Sequence, residues 1–200
     1  MRKFTLLLIG LVFTMQLSAQ DSPKTFEFNF YPSIHFGFFS PEDVNQYIAD
    51  DLSSYTVTFG TTDLIMNFNI GAGLGFRFLN LVEIQPQVEY SIAPKVISGA
   101  NSYSYSKFSG GMMANFMIPI APNRKSSIIV GGGMFYNTMS FEEYSGSSMN
   151  PRVQAGLSLN NNRFNPQIIF AYDLAKATVD EAEYFELDYS SFRIGVNLNF

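Results

Sequence analysis

The chain has 200 residues, with 12 Lys and Arg against 17 Asp and Glu and no Cys. Its apolar fraction is 46% and its charged fraction only 14%, whereas a soluble domain has about 25% charged residues. The length predicts about one domain, the acidic balance argues against a nucleic-acid partner, and the lack of cysteine excludes disulfides and a lipid-anchored cysteine.

Residues 1–20 have the composition of a secretory signal peptide, and residues 21–200 form the predicted mature domain. Arg2 and Lys3 precede an apolar run over 4–15, and the small residues Ser18 and Ala19 follow. The alternative is a buried N-terminal helix. Removing the two basic residues from the 12 leaves 10 against 17 acidic ones, a net charge of −7.

The sequence of the mature chain predicts eight β-strands, because apolar and polar side chains alternate along eight segments. No segment after residue 20 has a comparably long helical period. No run of 18 apolar residues follows the signal peptide either, which excludes a transmembrane helix. The predicted strands are 26–38, 64–78, 82–90, 108–118, 128–136, 153–159, 164–172 and 192–200.

Short and long connections alternate between these strands. The short ones are 79–81, 119–127 and 160–162, and the long ones are 39–63, 91–107, 137–152 and 173–191. This pattern predicts an all-β fold, an eight-stranded antiparallel up-and-down transmembrane β-barrel with short periplasmic turns and long extracellular loops.

The polar face distinguishes a membrane barrel from a soluble, ligand-carrying barrel. The apolar face carries no charge in the chosen registers, and a Lys or Arg facing lipid would cost about 2–4 kcal/mol. The polar face has too few charges for a water-exposed surface. Because eight strands enclose little space, we expect these charges to pair across the lumen as a plug. The predicted lumen charge network is Glu27, Arg77, Glu83, Glu89, Arg152 and Arg193.

Aromatic residues at both ends of the strands predict a girdle at each membrane interface. Its members are Tyr90, Tyr136 and Tyr172 on the long-loop side and Phe78, Phe164 and Phe200 at the opposite rim. Two prolines lie inside predicted strands, in the similar pieces "IQPQV" and "FNPQI". Because proline cannot donate to a strand ladder, we expect a β-bulge at Pro86 and at Pro166.

The first long loop contains "SPEDVNQYIADDL", residues 40–52, which predicts a short amphipathic helix over the outer mouth. Ser40 is the expected N-cap and Pro41 the first helical position, and the apolar side is Val44, Tyr47, Ile48 and Leu52. The acids of the first and last long loops are either solvated charge, ligands for divalent cations shared with lipopolysaccharide, or a surface for a basic partner. They are Glu42, Asp43, Asp50, Asp51, Asp63, Asp180, Glu181, Glu183, Glu186 and Asp188.

The stretch "FRFLNLVEIQPQVEYS", residues 76–91, resembles the second hairpin of the PorT-like outer-membrane β-barrel proteins of the Bacteroidota, often called porin-like. The resemblance continues in "FMIPI", "VGGGMFY" and the C-terminal "FRIGVNLNF" and spans nearly the whole mature chain. It implies an eight-stranded barrel in the Gram-negative outer membrane. Some members of this family are accessories of type IX secretion.

The sequence predicts a non-enzymatic protein without a cofactor or metal site. His35 is the only histidine and faces inward, with Ser33 and Ser40 near it in sequence. A Ser-His-carboxylate hydrolase would use such groups at the outer rim, but no elbow motif or spacing supports one. The glycines of "GAGLGF" and "GGG" alternate within strands, where a nucleotide fingerprint requires a following helix.

Two functions remain open at this stage. The first is a structural or surface-interaction protein, or an accessory of a secretion or envelope complex. The second is a small porin-like channel for ions or small solutes. The expected partners are outer-membrane lipid, lipopolysaccharide and the outer-membrane assembly machinery, which recognises the last strand in this class. The predicted assembly signal is Phe192, Ile194, Val196, Leu198 and Phe200.

Overall fold

The computed structural model describes residues 26–52, 64–96, 102–120, 126–159, 165–179 and 182–199. The predicted signal peptide at 1–20 lies outside the described residues and stays a prediction. The elements are β1 (Phe26–Phe39), α1 (Glu42–Leu52), β2 (Met66–Phe78), β3 (Val82–Val96), β4 (Ser102–Pro119), β5 (Ser126–Phe141), β6 (Tyr144–Leu159), β7 (Asn165–Asp173), β8 (Lys176–Val179), β9 (Ala182–Asp188) and β10 (Ser191–Asn199).

Eight of the strands form a closed antiparallel barrel in the order β1-β10-β7-β6-β5-β4-β3-β2. Each of these strands pairs with the one before it in chain order, and β10 closes the barrel against β1. The remaining two strands, β8 and β9, form a separate two-stranded sheet. The predicted fold class, an eight-stranded antiparallel up-and-down barrel, is therefore confirmed.

The barrel exterior is apolar over the part next to the short turns, and the interior beside it is mostly polar, apart from a small inward apolar cluster that contains Met117 and Ile129. Phe28 and Val130 face outward and are 56% and 48% exposed, whereas Asn69 and Ser91 face inward and are 0% exposed. Soluble proteins bury their apolar side chains and avoid apolar surfaces of this size. We call this outward surface, which ends near Tyr90, Tyr136 and Tyr172, the apolar belt. Among the described residues, no helix is long and apolar enough to cross a membrane.

Four strands, β3 to β6, are much longer at the long-connection end than the sequence predicts. β3 continues to Val96, β4 begins at Ser102, and the predicted loop 137–152 is a β5–β6 hairpin with a turn at Glu142 and Glu143. The alternation continues beyond the belt but its phase inverts, because Tyr105 and Met139 face inward while serines face outward. The prediction followed outward apolar residues and therefore ended each strand where the phase changes.

The expected bulges at Pro86 and Pro166 are absent, so this prediction is wrong. β3 keeps one register with β4 through Pro86, and its ladder with β2 is interrupted there but resumes in the same register. Pro166 pairs with Leu198 in an unbroken register with β10. The missing N–H of proline removes a ladder bond without adding a residue, so the strands do not shift.

The turn between β2 and β3 determines which charges face each other at the short-turn end. Leu79 and Asn80 adopt positive φ angles of 52° and 57°, a backbone region that non-glycine residues seldom occupy. The resulting hairpin pairs Arg77 directly with Glu83.

Candidate functional site

An ion cluster, the lower network, lies near the short-turn end of the lumen. The strand register places Glu27 beside Arg77 and Arg77 beside Glu83 on three neighbouring strands. The Arg77 guanidinium lies 3.5 Å from Glu27 and 3.0 Å from Glu83, and the Tyr31 hydroxyl donates to Glu83 Oε2 at 2.6 Å. Because the Glu27 side chain is 22% exposed and that of Glu83 only 1%, the network runs from the interior toward the open end.

A second ion cluster, the upper network, lies near the long-connection end and is fully buried. Arg152 donates to Glu89 Oε2 at 3.4 Å and to Asp173 Oδ2 at 3.1 Å. Arg193 pairs with Glu89, and Lys107 pairs with Asp173. The upper network therefore holds three cations and two carboxylates.

The six predicted lumen charges all face the interior, but they divide into these two networks, three in each. The sequence analysis missed Lys107 and Asp173, because the predicted strands began at 108 and ended at 172. Extending the alternation by one residue on each strand would have placed both side chains inward.

Amides and an aromatic ring fill the lumen between the two networks. Asn115 donates to Gln85 Oε1 at 3.1 Å and accepts from Gln154 at 2.8 Å. The Arg152 guanidinium lies 3.7 Å from the centre of the Phe135 ring, which is itself fully buried. At these levels the lumen is packed with side chains.

His35 belongs to the wall of the upper network. Its Nε2 lies 3.0 Å from Asn197 Oδ1, which identifies Nε2 as the donor, and its Nδ1 lies 3.9 Å from Glu89 Oε2. Ser33 faces Asn197 across the β1–β10 ladder, and Ser40 is exposed beyond the end of β1. The contacts of His35 thus go to an amide and a carboxylate, and the arrangement does not form a nucleophile–base pair.

Above the upper network, an apolar core that we call the outer cap covers the barrel mouth. The helix α1 contributes Val44 and Ile48, which are fully buried, and Tyr47 packs against the core from outside. The predicted amphipathic helix is thus confirmed, although its first helical residue is Glu42. The outer cap consists of Phe39, Val44, Ile48, Leu64, Ala93, Tyr103, Tyr105, Met139, Phe141, Ala175, Ala177, Val179, Leu187 and Tyr189.

Polar contacts attach the helix to its surroundings and the cap to the upper network. Asp43 Oδ2 accepts from the backbone N–H of Glu186 on β9 at 2.7 Å. Asn45 Oδ1 accepts from the backbone N–H of Leu64, also at 2.7 Å. Lys107 Nζ lies 5.0 Å from the centre of the Tyr189 ring, a cation–π contact. The helix therefore contacts the β8–β9 hairpin, and the cap contacts the lumen charges through Lys107 and Tyr189.

The described acidic side chains of the outer loops are partly engaged within the protein. Lys176 Nζ lies 2.7 Å from Glu186 and 2.8 Å from Asp188, and hydrogen bonds to these carboxylates raise the pKa of Lys176 above its ordinary value. Within the described part of the chain, no group of three His, Cys, Asp or Glu side chains could hold a metal ion. Residues Asp63, Asp180 and Glu181, and the side chains of Asp51 and Glu183, lie outside the description.

The predicted girdle and the predicted assembly strand are only partly described. Tyr90, Tyr136 and Tyr172 face outward at one edge of the apolar belt and Phe78 at the other, while Phe164 and Phe200 lie outside the described residues. On β10, Phe192, Ile194 and Val196 face outward and Leu198 is half-buried. Their roles at the interface and in assembly remain proposals.

The fold resembles solved outer-membrane barrels. Neisserial surface protein A (NspA) superposes with a TM-score of 0.55 at 13% identity, over 90% of this chain and 98% of that one. The N-terminal β-barrel domain of Pseudomonas aeruginosa OprF gives a TM-score of 0.38 at 14% identity, covering 86% and 97% of the two chains. The Yersinia pestis outer membrane protein Ail gives 0.38 at 15% identity, covering 85% and 99%. No protein-family model and no curated protein sequence matches the chain. The likeness to NspA shows the fold.

Proposed function

We propose that this chain is an integral outer-membrane β-barrel protein of the PorT-like kind. Its proposed role is non-enzymatic: it presents a surface to other molecules or acts as an accessory of a secretion or envelope complex. The observation that carries the proposal is the combination of an apolar belt outside, paired charges inside and a packed cap over the outer mouth.

The apolar belt supports the membrane location. The outward apolar residues of β5 run from Ile128 to Tyr136, and this length agrees with the roughly 9–11 residues of a transmembrane β-strand. Every described charge along the belt faces the lumen and has a partner of opposite sign. A closed barrel is also the one β-architecture that leaves no unpaired strand edge in lipid.

The packed interior supports a surface role over transport. The two networks and the amides between them occupy the lumen, and α1 closes the outer end. A chain whose interior is filled in this way can act on other molecules mainly through its loops and rims. The small porin-like channel is the alternative, and a conductance measurement decides between them.

The deciding experiment measures current across planar bilayers that contain the purified protein. We expect no steady conductance from the wild type. The matched variant Gln85→Ala with Asn115→Ala and Gln154→Ala removes the amides that fill the middle of the lumen but keeps both networks. The current through this variant shows what a lumen without these amides conducts. A wild-type current as large as that of the variant would favour the channel.

The accessory role is tested by comparing the secreted proteins of a deletion strain with those of its parent, with the outer-membrane fractions compared in parallel. Loss of specific secreted proteins would support a place in a secretion complex. An unchanged profile would restrict the proposal to a surface or structural role.

The assembly role of the last strand is tested at its C-terminal residue. Replacing Phe200 with Asn should lower the amount of folded barrel in the outer membrane, because the assembly machinery is proposed to bind the apolar side of this strand. Phe200→Tyr is the matched control, since it keeps an aromatic ring. Equal delivery of both variants would contradict the assembly signal.

A further inference from the structure

The sheet that rises above the apolar belt has an outer face of hydroxyl groups without charge. On β4, β5 and β6 the outward positions above the Tyr136–Met149 pair carry serines, one threonine and Phe108. The first outward charges of these strands are Glu142 and Glu143, in the turn at the tip. The residues of this hydroxyl face are Ser104, Ser106, Thr138, Ser140, Ser145 and Ser147.

Residues that are paired across β4, β5 and β6 form rows on the outer face of the sheet, and these rows lie directly above the apolar belt. The lower row is Phe108, Thr138 and Ser147, and the upper row is Ser106, Ser140 and Ser145. A step of two residues along a tilted strand rises about 5 Å. The polar layer on each side of the hydrocarbon core is roughly 5–8 Å thick. The lower row, one step above the Tyr136–Met149 pair, therefore lies at the depth of lipid headgroups, and the upper row, two steps or about 10 Å above that pair, lies at the outer edge of this layer or just beyond it.

The chemistry of the hydroxyl face fits neutral sugars. A surface facing bulk water has about 25–35% charged residues, and recognition of phosphate uses Arg or Lys. The hydroxyl face has neither feature. Each Ser or Thr hydroxyl can both donate and accept, as a sugar hydroxyl can.

The hydroxyls of this face are also unengaged. On the inner side of the same sheet, Ser109 donates to Asn137 at 2.7 Å and Asn137 donates to Asn150 at 3.1 Å. Of the hydrogen bonds within the described residues, by contrast, none uses a side chain of the hydroxyl face. The outward groups are therefore available to a ligand.

We propose that the hydroxyl face binds the core sugars that extend outward from the lipid part of a glycolipid in the outer leaflet. The inference rests on the proposed outer-membrane location, because it is the continuity of this face with the apolar belt that selects a lipid-borne sugar over a free one. Binding by hydrogen bonds to neutral sugars is distinct from binding of divalent cations by the acidic loops.

The test uses the full-length mature protein folded into phospholipid vesicles. One set of vesicles contains lipopolysaccharide with its core sugars, and a second set contains lipid A at the same mole fraction. Native mass spectrometry after detergent extraction counts the molecules of each lipid that stay bound. We expect the wild type to retain lipopolysaccharide in preference to lipid A.

The variant Thr138→Val with Ser140→Ala and Ser145→Ala should lower this preference about tenfold, which corresponds to about 1.4 kcal/mol. The control variant Ser126→Ala removes a hydroxyl at the start of β5, at the short-turn end of the barrel and so at the opposite end from the hydroxyl face, and should retain the wild-type preference. The heat-dependent electrophoretic mobility of both proteins verifies the fold, and the single variant Ser140→Ala serves if the triple variant does not fold.

Equal retention of the two lipids by the wild type, or an unchanged preference in a folded hydroxyl-face variant, would overturn the inference while leaving the outer-membrane proposal intact. Failure of the wild type to insert into any vesicle would instead contradict the membrane location, and the inference would fall with it.

Discussion

The lumen beside the apolar belt and the outer cap are parts of one barrel with opposite interiors. Beside the belt, most inward side chains are charged or polar, as in Glu89 and Arg152, although one small apolar cluster around Met117 also faces inward. The outward side chains there are apolar. In the cap the inward side chains are apolar, as in Phe141 and Ile48, and the outward ones are hydroxyls and acids. The strands cross this boundary without a break in their pairing.

With the belt in lipid, as proposed, the surroundings, and not the strand, decide which face is apolar. In lipid, an apolar exterior has no unfavourable contact with water, and polar side chains are satisfied only inside the lumen. In water the same sheet must bury its apolar face, which here requires α1 and the β8–β9 hairpin as a cover. Four substitutions test this comparison.

The largest effect is expected for Glu89→Gln in the upper network. The change leaves Arg152 and Arg193 facing one neutral amide in a fully buried site, and breaking a buried ion pair costs about 3–5 kcal/mol. Urea unfolding in lipid vesicles measures the free energy of unfolding. The matched change Glu27→Gln in the partly exposed lower network should cost about 1 kcal/mol or less, and equal losses at both sites would show that burial does not distinguish the networks.

A comparable but local effect is expected in the cap for Ile48→Ala. The truncation leaves a cavity under the helix, for which the usual cost is about 2–5 kcal/mol. Hydrogen exchange of the α1 amides should accelerate while the barrel amides stay protected, because the cap can open by itself. Gln46→Ala on the exposed side of the same helix is the control. Equal acceleration in the barrel would mean that the cap and the lumen open as one unit.

A smaller effect is expected for an arginine on the apolar belt. Val130→Arg places a charge among outward apolar residues, at a cost of about 2–4 kcal/mol near the middle of the bilayer. Ser140→Arg on the same strand lies above the belt and should change the unfolding free energy by about 0.5 kcal/mol or less. Unfolding in vesicles compares the two, and similar costs would remove the proposed boundary between them.

The smallest effect is expected for Lys176→Ala at the exposed edge of the cap. Its two carboxylate contacts are solvent-screened, so the loss should be about 0–1 kcal/mol. The folded-state pKa of Lys176 is raised above the ordinary value of 10.5, so its stabilising effect is fully present below that pH and declines only as the pH rises through the folded pKa. Because pH 7 and pH 9 both lie below the ordinary pKa of lysine, we expect the rate of proteolysis of the β8–β9 hairpin to be the same at both pH values. Faster proteolysis at pH 9 than at pH 7 would contradict the raised pKa of Lys176.

The sequence predicted the six lumen charges but not the complete upper network. Glu89 and Arg193 lie within clear apolar-outward alternation and Arg152 directly precedes such a segment, so their direction followed from period two. Lys107 and Asp173 each lie one residue outside that alternation, at the point where the phase inverts. Only the paired strands show that both continue inward and contact each other.

The sequence by itself determined the eight strands, the apolar belt and the helix α1. These features depend on short-range patterns, alternation along a strand and apolar spacing along a helix, and each can be recognised within about 10–15 residues. The outer cap cannot be recognised from such short-range patterns. It joins residues far apart in the chain, as in the bond between Asp43 and Glu186.

The tertiary structure alone decided where the polar interior ends and the apolar cap begins. Whether the apolar face of a strand points into or out of the barrel can be decided only when it is known whether lipid or water lies outside and what packs inside. For β4 and β5 the inside is supplied by α1 and by β9, which lie elsewhere in the sequence. Local alternation therefore determined the barrel, and long-range packing determined the cap that closes it.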